Sequence, residues 1–287
     1  MTEQHQKIVA LVDGSIYSAS LCEHAAWVAR RTGAPVELIH VLGRREAPGR
    51  QDLSGAIALG ARTALLEELA TLDAQRARLA SERGRAILED ARAMLEQAGV
   101  TQVTTRLRHG DMIETVAEVE AEARVLMIGK RGESADFAKG HLGSNLERVV
   151  RASHRPVLVA ARAFRPIQRV LLAFDGGASA QRAVEHVARS PLFQGLPVRL
   201  VMVGEPAPQT QAALARAQTV LTGAGIAADT AVQQGQPEQV LGQMVEETPF
   251  DLLVMGAYGH SRIRSLIIGS TTTAMIRSCK VPVVLIR

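Results

Sequence analysis

The sequence is poor in aromatic residues and in cysteine. Only 3% of its 287 residues are Phe, Trp or Tyr, so a core has to be built from Val, Leu, Ile and Ala. Nucleic-acid binding by stacking needs aromatics interleaved with clustered bases. Here the arginines are dispersed through helical patterns, often beside Glu or Asp, and the net charge is only +4. Nucleic acid is therefore not an expected partner. The two cysteines, Cys22 and Cys279, lie far apart in apolar helical patterns. Buried thiols in a reducing cytosol fit them better than a disulfide framework. No apolar run approaches the ~20 residues of a membrane span, and the opening MTEQHQK has no signal-peptide core. The expectation is a cytoplasmic protein outside the membrane. The eight histidines are scattered, without an HExxH pattern, so no protein-only metal site is expected. There is no Gly-x-Ser-x-Gly elbow, and no lysine completes a Walker A loop at Gly269-Ser270.

What the chain does contain is a repeat. Lys7 to Val12 is an apolar run ending at Asp13-Gly14, and Arg169 to Phe174 is another ending at Asp175-Gly176. Each leads into a helical pattern, over 18–31 and 178–189. Pro35 and Pro197 then open matching strands that end at Val41 and Val203. A helical stretch follows in each copy, about 57–97 in the first and 209–221 in the second. The first copy is longer by an insertion at about 43–80, expected to be a surface extension or an interface element. The copies then rejoin: strand 100–107 with 226–233, helix 112–122 with 238–247, strand 124–128 with 251–255, and a last strand opened by Pro156 or Pro282. Strands alternating with helices imply parallel sheets covered on both faces. The chain divides into units 1–163 and 164–287.

The most informative stretch is Asp251 to Ala274. A buried strand, Leu252 to Met255, runs into Gly256 and Gly259; nine residues on come Gly269, Ser270 and Thr271, where a helical pattern starts. Glycines let a backbone approach an oxyanion closely. The first helical amides lack internal partners and, with the helix dipole, favour negative charge. One reading is a phosphate loop. The other is that the glycines only form turns and Ser270 only caps the helix. The loop alone leaves both open.

Taken together, the spacing Gly256, Gly259, Gly269, Ser270, the Asp after each first strand and the Pro-Val-apolar last strands resemble the universal stress protein family in a tandem two-domain form. The resemblance spans nearly the whole chain. It implies two flavodoxin-like (Rossmann-like) doubly wound α/β domains, each a five-stranded parallel sheet of order 3-2-1-4-5, with ligands outside the strand C-termini at the switch point. It also implies ATP, with Mg²⁺ arriving on the phosphates, as the cofactor of a stress-response regulatory protein. Carried over, Asp175 and Val203 would contact the base, and Gly256, Gly259, Gly269, Ser270 and Thr271 would hold the phosphates. Arg262 and Arg264 are either phosphate partners or solvated charges.

The first half carries the weaker set Asp13, Val41, Gly129, Gly132, Gly143 and Ser144. It departs from the pattern with ten residues between Gly132 and Gly143, two of them acids. Like charge there opposes a triphosphate; Lys130 and Arg131 can offset it or serve another anion. Nucleotide is accordingly expected in the second half, with little or no catalysis. The alternatives are a nucleotide-free protein-interaction module and a slow ATPase. In the family the last strands pair across a dimer. Here the two halves can satisfy one another as an internal pseudo-dimer, with a homodimer through other surfaces and an unidentified protein partner left open.

Overall fold

The inner strands form because short runs of Val, Leu and Ile are covered by helices on both sides, whereas the two strands at the ends of the sheet, Val103–His109 and Ala228–Gln233, are polar and partly exposed. The computed structural model describes residues 6–43, 61–130, 144–247, 250–257 and 270–287. In the first half the elements are β1 (Lys7–Leu11), α1 (Ser18–Thr32), β2 (Val36–Leu42), α2 (Ala61–Gln97), β3 (Val103–His109), α3 (Met112–Val119), β4 (Ala123–Gly129), α4 (Ser144–Ala152) and β5 (Val157–Ala160). The second half repeats them as β6 (Val170–Ala173), α5 (Ala178–Arg189), β7 (Val198–Val203), α6 (Pro208–Gly223), β8 (Ala228–Gln233), α7 (Pro237–Glu247), β9 (Leu252–Gly256), α8 (Ser270–Ser278) and β10 (Val283–Ile286).

The strands lie in the order β3-β2-β1-β4-β5-β10-β9-β6-β7-β8. Each half is thus parallel with order 3-2-1-4-5. The halves meet where β5 pairs antiparallel with β10, Val159 opposite Val283 and Val157 opposite Leu285. That junction turns two sheets into one. It also reverses strand direction, so the C-terminal strand ends of the two halves lie at opposite ends of the sheet. Helices α1, α2, α5 and α6 contribute to one apolar layer. Helices α3, α4, α7 and α8 build the layer on the other face.

Side chains reinforce the junction. The Ser20 hydroxyl of α1 donates to the Ala161 carbonyl at 2.9 Å. The Arg31 guanidinium donates to the Leu192 carbonyl at 2.6 Å and to that of Gln194, beyond α5, while lying over the Trp27 ring. Both cysteines are buried and free, and burial pushes the Cys22 thiol up to about 12.

Some boundaries differ from expectation for local reasons. The strand expected over 100–107 runs over Val103–His109. The Gln102 carbonyl is taken by the Val36 N–H, and the seven residues of β2 carry the pairing on until Leu42 faces His109. The helix expected over 112–122 stops at Val119, and Glu120–Glu122 tighten into a 3₁₀ turn. Helix α2 is followed from Ala61; 44–60, most of the connection in the expected insertion, lies outside the described residues.

Glu120 pins the approach to β5. Its Oε1 accepts from the Ser153 hydroxyl at 2.9 Å, from the Arg155 N–H at 3.2 Å and from the His154 N–H. Burial pushes its carboxyl up, but these hydrogen bonds outweigh that and hold it below its ordinary value of 4.5. A carboxyl depressed on folding stabilises the protein above its unfolded pKa, and the contribution is lost as pH falls through the folded value. Glu120→Gln is expected to cost about 1–2 kcal/mol at neutral pH. In urea unfolding, its difference from the unsubstituted chain should shrink as pH falls through the folded pKa of Glu120, below 4.5. A difference independent of pH would remove Glu120 from this role.

Candidate functional site

The crevice of the second half opens at the C-terminal ends of β6, β7 and β9, between α7 and α8. Its first wall is the turn after β6. The Asp175 Oδ1 accepts from the Gly177 N–H at 2.8 Å, and Gly176 takes a left-handed φ of +77° that only glycine adopts without strain. This Asx turn aims the chain into α5. The first half builds the same turn, with Asp13 accepting from the Ser15 N–H at 3.0 Å and Gly14 at φ +73°.

Gly256 forms the floor. A Cβ placed on it would meet the Ser179 Oγ at 2.5 Å and the Ala180 backbone nitrogen at 3.0 Å. Its missing side chain is therefore what lets the start of α5 close on the end of β9. The second helix start is drawn in by Thr272, which is buried. Its hydroxyl lies 3.4 Å from the Gly256 carbonyl and 3.3 Å from that of Ala257. Ala257 is itself held by its N–H on the Ile286 carbonyl at 2.7 Å. Two helix N-termini thus converge on one glycine. Both dipoles favour negative charge at that point.

The apolar wall comes from β7 and α7. Val201 and Val203 face Pro237 and Leu241, with Met255 beside them. Val203 ends β7 where the sheet opens, and Leu241 is one helical turn beyond Pro237.

Of the seven residues expected in this site, five line one crevice: Asp175, Val203, Gly256, Ser270 and Thr271. Gly259 and Gly269 lie outside the described residues, as do Arg262 and Arg264. Ser179, Phe174 and Leu241 were not foreseen. The signals that point to two of the others are the hydroxyl run Ser270 to Thr273 for Thr272 and the apolar position four residues after Pro237 for Leu241. Nothing in the sequence marks Ser179, because its importance comes from contact with a residue 77 positions away.

The first half differs at its equivalent positions. Asp13, Val41 and Gly129 stand at the ends of β1, β2 and β4, and Ser144 opens α4; Gly132 and Gly143 lie outside the described residues. The sequence left Lys130 either to offset the loop acids or to serve another anion. Lys130 is instead buried, and its ammonium donates to the Cys279 carbonyl after α8, tying the halves together. Asp111 caps α3 by accepting from the Ile113 N–H at 2.7 Å and pairs with Arg148 of α4 at 2.7 Å. The Arg148 hydrogen bond, with that from Ile113, holds its carboxyl below the usual range. The repeat sets Gln236 and Ala274 at the counterpart positions, where no such ion pair can form. Helices α3 and α4 are stapled to each other by this pair, while α7 is tied to the segment after α8 by Glu246 and Lys280 at 2.8 Å.

Gly256→Ala tests the close approach. The added methyl must push Ser179 and the α5 backbone away from β9, and overpacking of this kind costs about 1–3 kcal/mol. A lowered denaturation midpoint is expected, and an unchanged midpoint would contradict the geometry.

Comparison with known proteins follows the same outline. The pattern that defines the universal stress protein family matches residues 4–161 and 205–287. The interval 162–204 holds β6, α5 and β7, which the structure shows as the same β-α-β unit as β1, α1 and β2. Universal stress protein Slr1230 of Synechocystis sp. (strain ATCC 27184 / PCC 6803 / Kazusa) is 36% identical over 286 residues, 98% of this chain and all of that protein. A universal stress protein from Archaeoglobus fulgidus DSM 4304 superposes with a TM-score of 0.73 at 22% identity, covering 99% of both chains. A functionally unknown protein from Pseudomonas aeruginosa PAO1 superposes at 0.61 and 14% identity, over 99% of this chain and 93% of its own. At such identities the two structures speak for the fold. The chain belongs to the universal stress protein family.

Proposed function

We propose that this protein is an ATP-binding regulator of the stress-response type, cytoplasmic, with nucleotide held in the crevice of its second half. One observation carries the reading: Asp175, Val203, Gly256, Ser270 and Thr271, which the family resemblance implied, line a single crevice. The residues fit the ligand. Val203, Leu241 and Met255 offer an apolar wall for a base, and the Asp175 carboxylate stands at the edge of that wall. The starts of α5 and α8 meet at Gly256 and offer backbone and hydroxyl donors to phosphate. Mg²⁺ would arrive on the phosphates rather than in a protein cage. In this reading Asp175 recognises and closes a turn; it does not transfer a proton, and turnover is slow or absent.

The units 1–163 and 164–287 then have different tasks. The first half commits Lys130 to the junction and Asp111 and Arg148 to each other, which favours a supporting role for it. ATP binding in the second half sets the surface offered to a protein partner.

Calorimetry with Mg-ATP on the whole chain tests this. One site per chain is expected, lost in Gly259→Asp and weakened about tenfold in Asp175→Ala, as for a lost buried hydrogen bond worth about 1.4 kcal/mol. Two sites would bring the first half into the function. Absence of binding at millimolar nucleotide would leave the nucleotide-free interaction module. Multiple-turnover phosphate release abolished by Asp175→Ala would favour an ATPase.

A further inference from the structure

Helix α2 is far longer than its contact with the sheet. Its sheet-facing seam is Gly84, Leu88, Ala91 and Leu95, all buried. Residues 65–83 precede that seam, and most of their side chains are exposed. Such a segment is about 28 Å long at 1.5 Å per residue. In proteins most helical stability comes from packing of an apolar face. Leu65, Leu72 and Leu79 stand on it at seven-residue spacing, with exposures of 38%, 44% and 63%. At about 100° per residue they share one stripe with Glu68 and Arg76, turned roughly a third of a turn from the sheet-facing seam. The stripe is therefore not a continuation of the core. Seven large hydrophobics are exposed among the described residues, and four of them, Leu65, Leu66, Leu72 and Leu79, lie on this segment. Clustering of that kind marks an interaction surface.

The charge pattern names the partner. From 65 to 75 the helix carries Glu67, Glu68 and Asp73 and no base. From 76 to 85 it carries Arg76, Arg78, Arg83 and Arg85 against a single acid, Glu82. This surface is complementary to itself in one orientation. Two copies laid antiparallel about Leu72 put Leu65 against Leu79, Leu72 against Leu72, and Glu68 against Arg76. A parallel arrangement would set Glu68 against Glu68 and Arg76 against Arg76. The antiparallel pairing has the twofold symmetry of an isologous dimer.

We propose that the 65–79 stripe of α2 is a homodimer interface, closed by a second copy of the same helix running antiparallel. This dimer lies on the helical insertion of the first half and does not depend on nucleotide in the second.

Sedimentation equilibrium of the full chain at low salt, from low micromolar concentration upward, tests it. A monomer–dimer equilibrium is expected. Leu72→Gln and Glu68→Arg should each raise the dimer dissociation constant by about tenfold or more. Glu68→Arg combined with Arg76→Glu should restore it, because the swap recovers opposite charge in both copies. Raising the salt should weaken the dimer. A monomer at every concentration overturns the proposal, whether another protein or another stretch of this chain covers the stripe. So does a dimer indifferent to both single substitutions. Dimerisation lost in Glu68→Arg and not recovered by the charge swap overturns the antiparallel register.

Discussion

An open sheet ends in strands whose outer N–H and C=O groups have no partner, and this molecule meets that constraint by joining β5 to β10. The ladder is short, three residue pairs from Val157 to Val159 against Val283 to Leu285. Much else follows from it. Because the pairing is antiparallel, the halves are related by a twofold axis through the sheet, so equivalent helices share a face. For the same reason their crevices open toward opposite ends. Ser20, Arg31, Glu120 and Lys130 all hold residues beside this junction in place. Two outward strand edges that would otherwise recruit further strands become interior.

The crevice depends on a comparable economy at one residue. Gly256 is the point where a strand end, the start of α5 and the start of α8 come within contact. A side chain there would separate the two helix starts, and their amide dipoles would no longer act on one place. Thr272 completes the arrangement by spending its hydroxyl on the β9 end rather than on solvent. The polarity of the site thus comes mostly from backbone, with Asp175, Ser270 and Thr271 adding direction.

The fold was legible because strand, turn and helix recur in the same order twice. Asp13-Gly14 and Asp175-Gly176 announce their turns, since the carboxylate closes the turn and the glycine supplies the left-handed residue. Pro237 announces the start of α7. The candidate site was legible where its parts lie close in sequence or at strand ends, as with Val203 and Ser270. It was not legible where contact alone confers the role. Ser179 is an ordinary helical serine until Gly256 is seen against it. Lys130 follows a glycine at the end of a strand, as an anion-binding lysine would. Only the junction of the halves shows that its charge is taken by a carbonyl after α8.

Joining the halves in one chain has a consequence for how they can change. In a dimer of identical subunits every substitution is made twice, so a residue that improves one crevice at the expense of the contact must do both on each side. Here each side of the pseudo-twofold has its own residue. Lys130 stands where the other half has Ala257, and Arg148 where it has Ala274. One copy can be spent on support while the other keeps a crevice open, and neither choice is imposed on its counterpart. The β5–β10 ladder, by making the partnership permanent, releases the two halves from resembling each other.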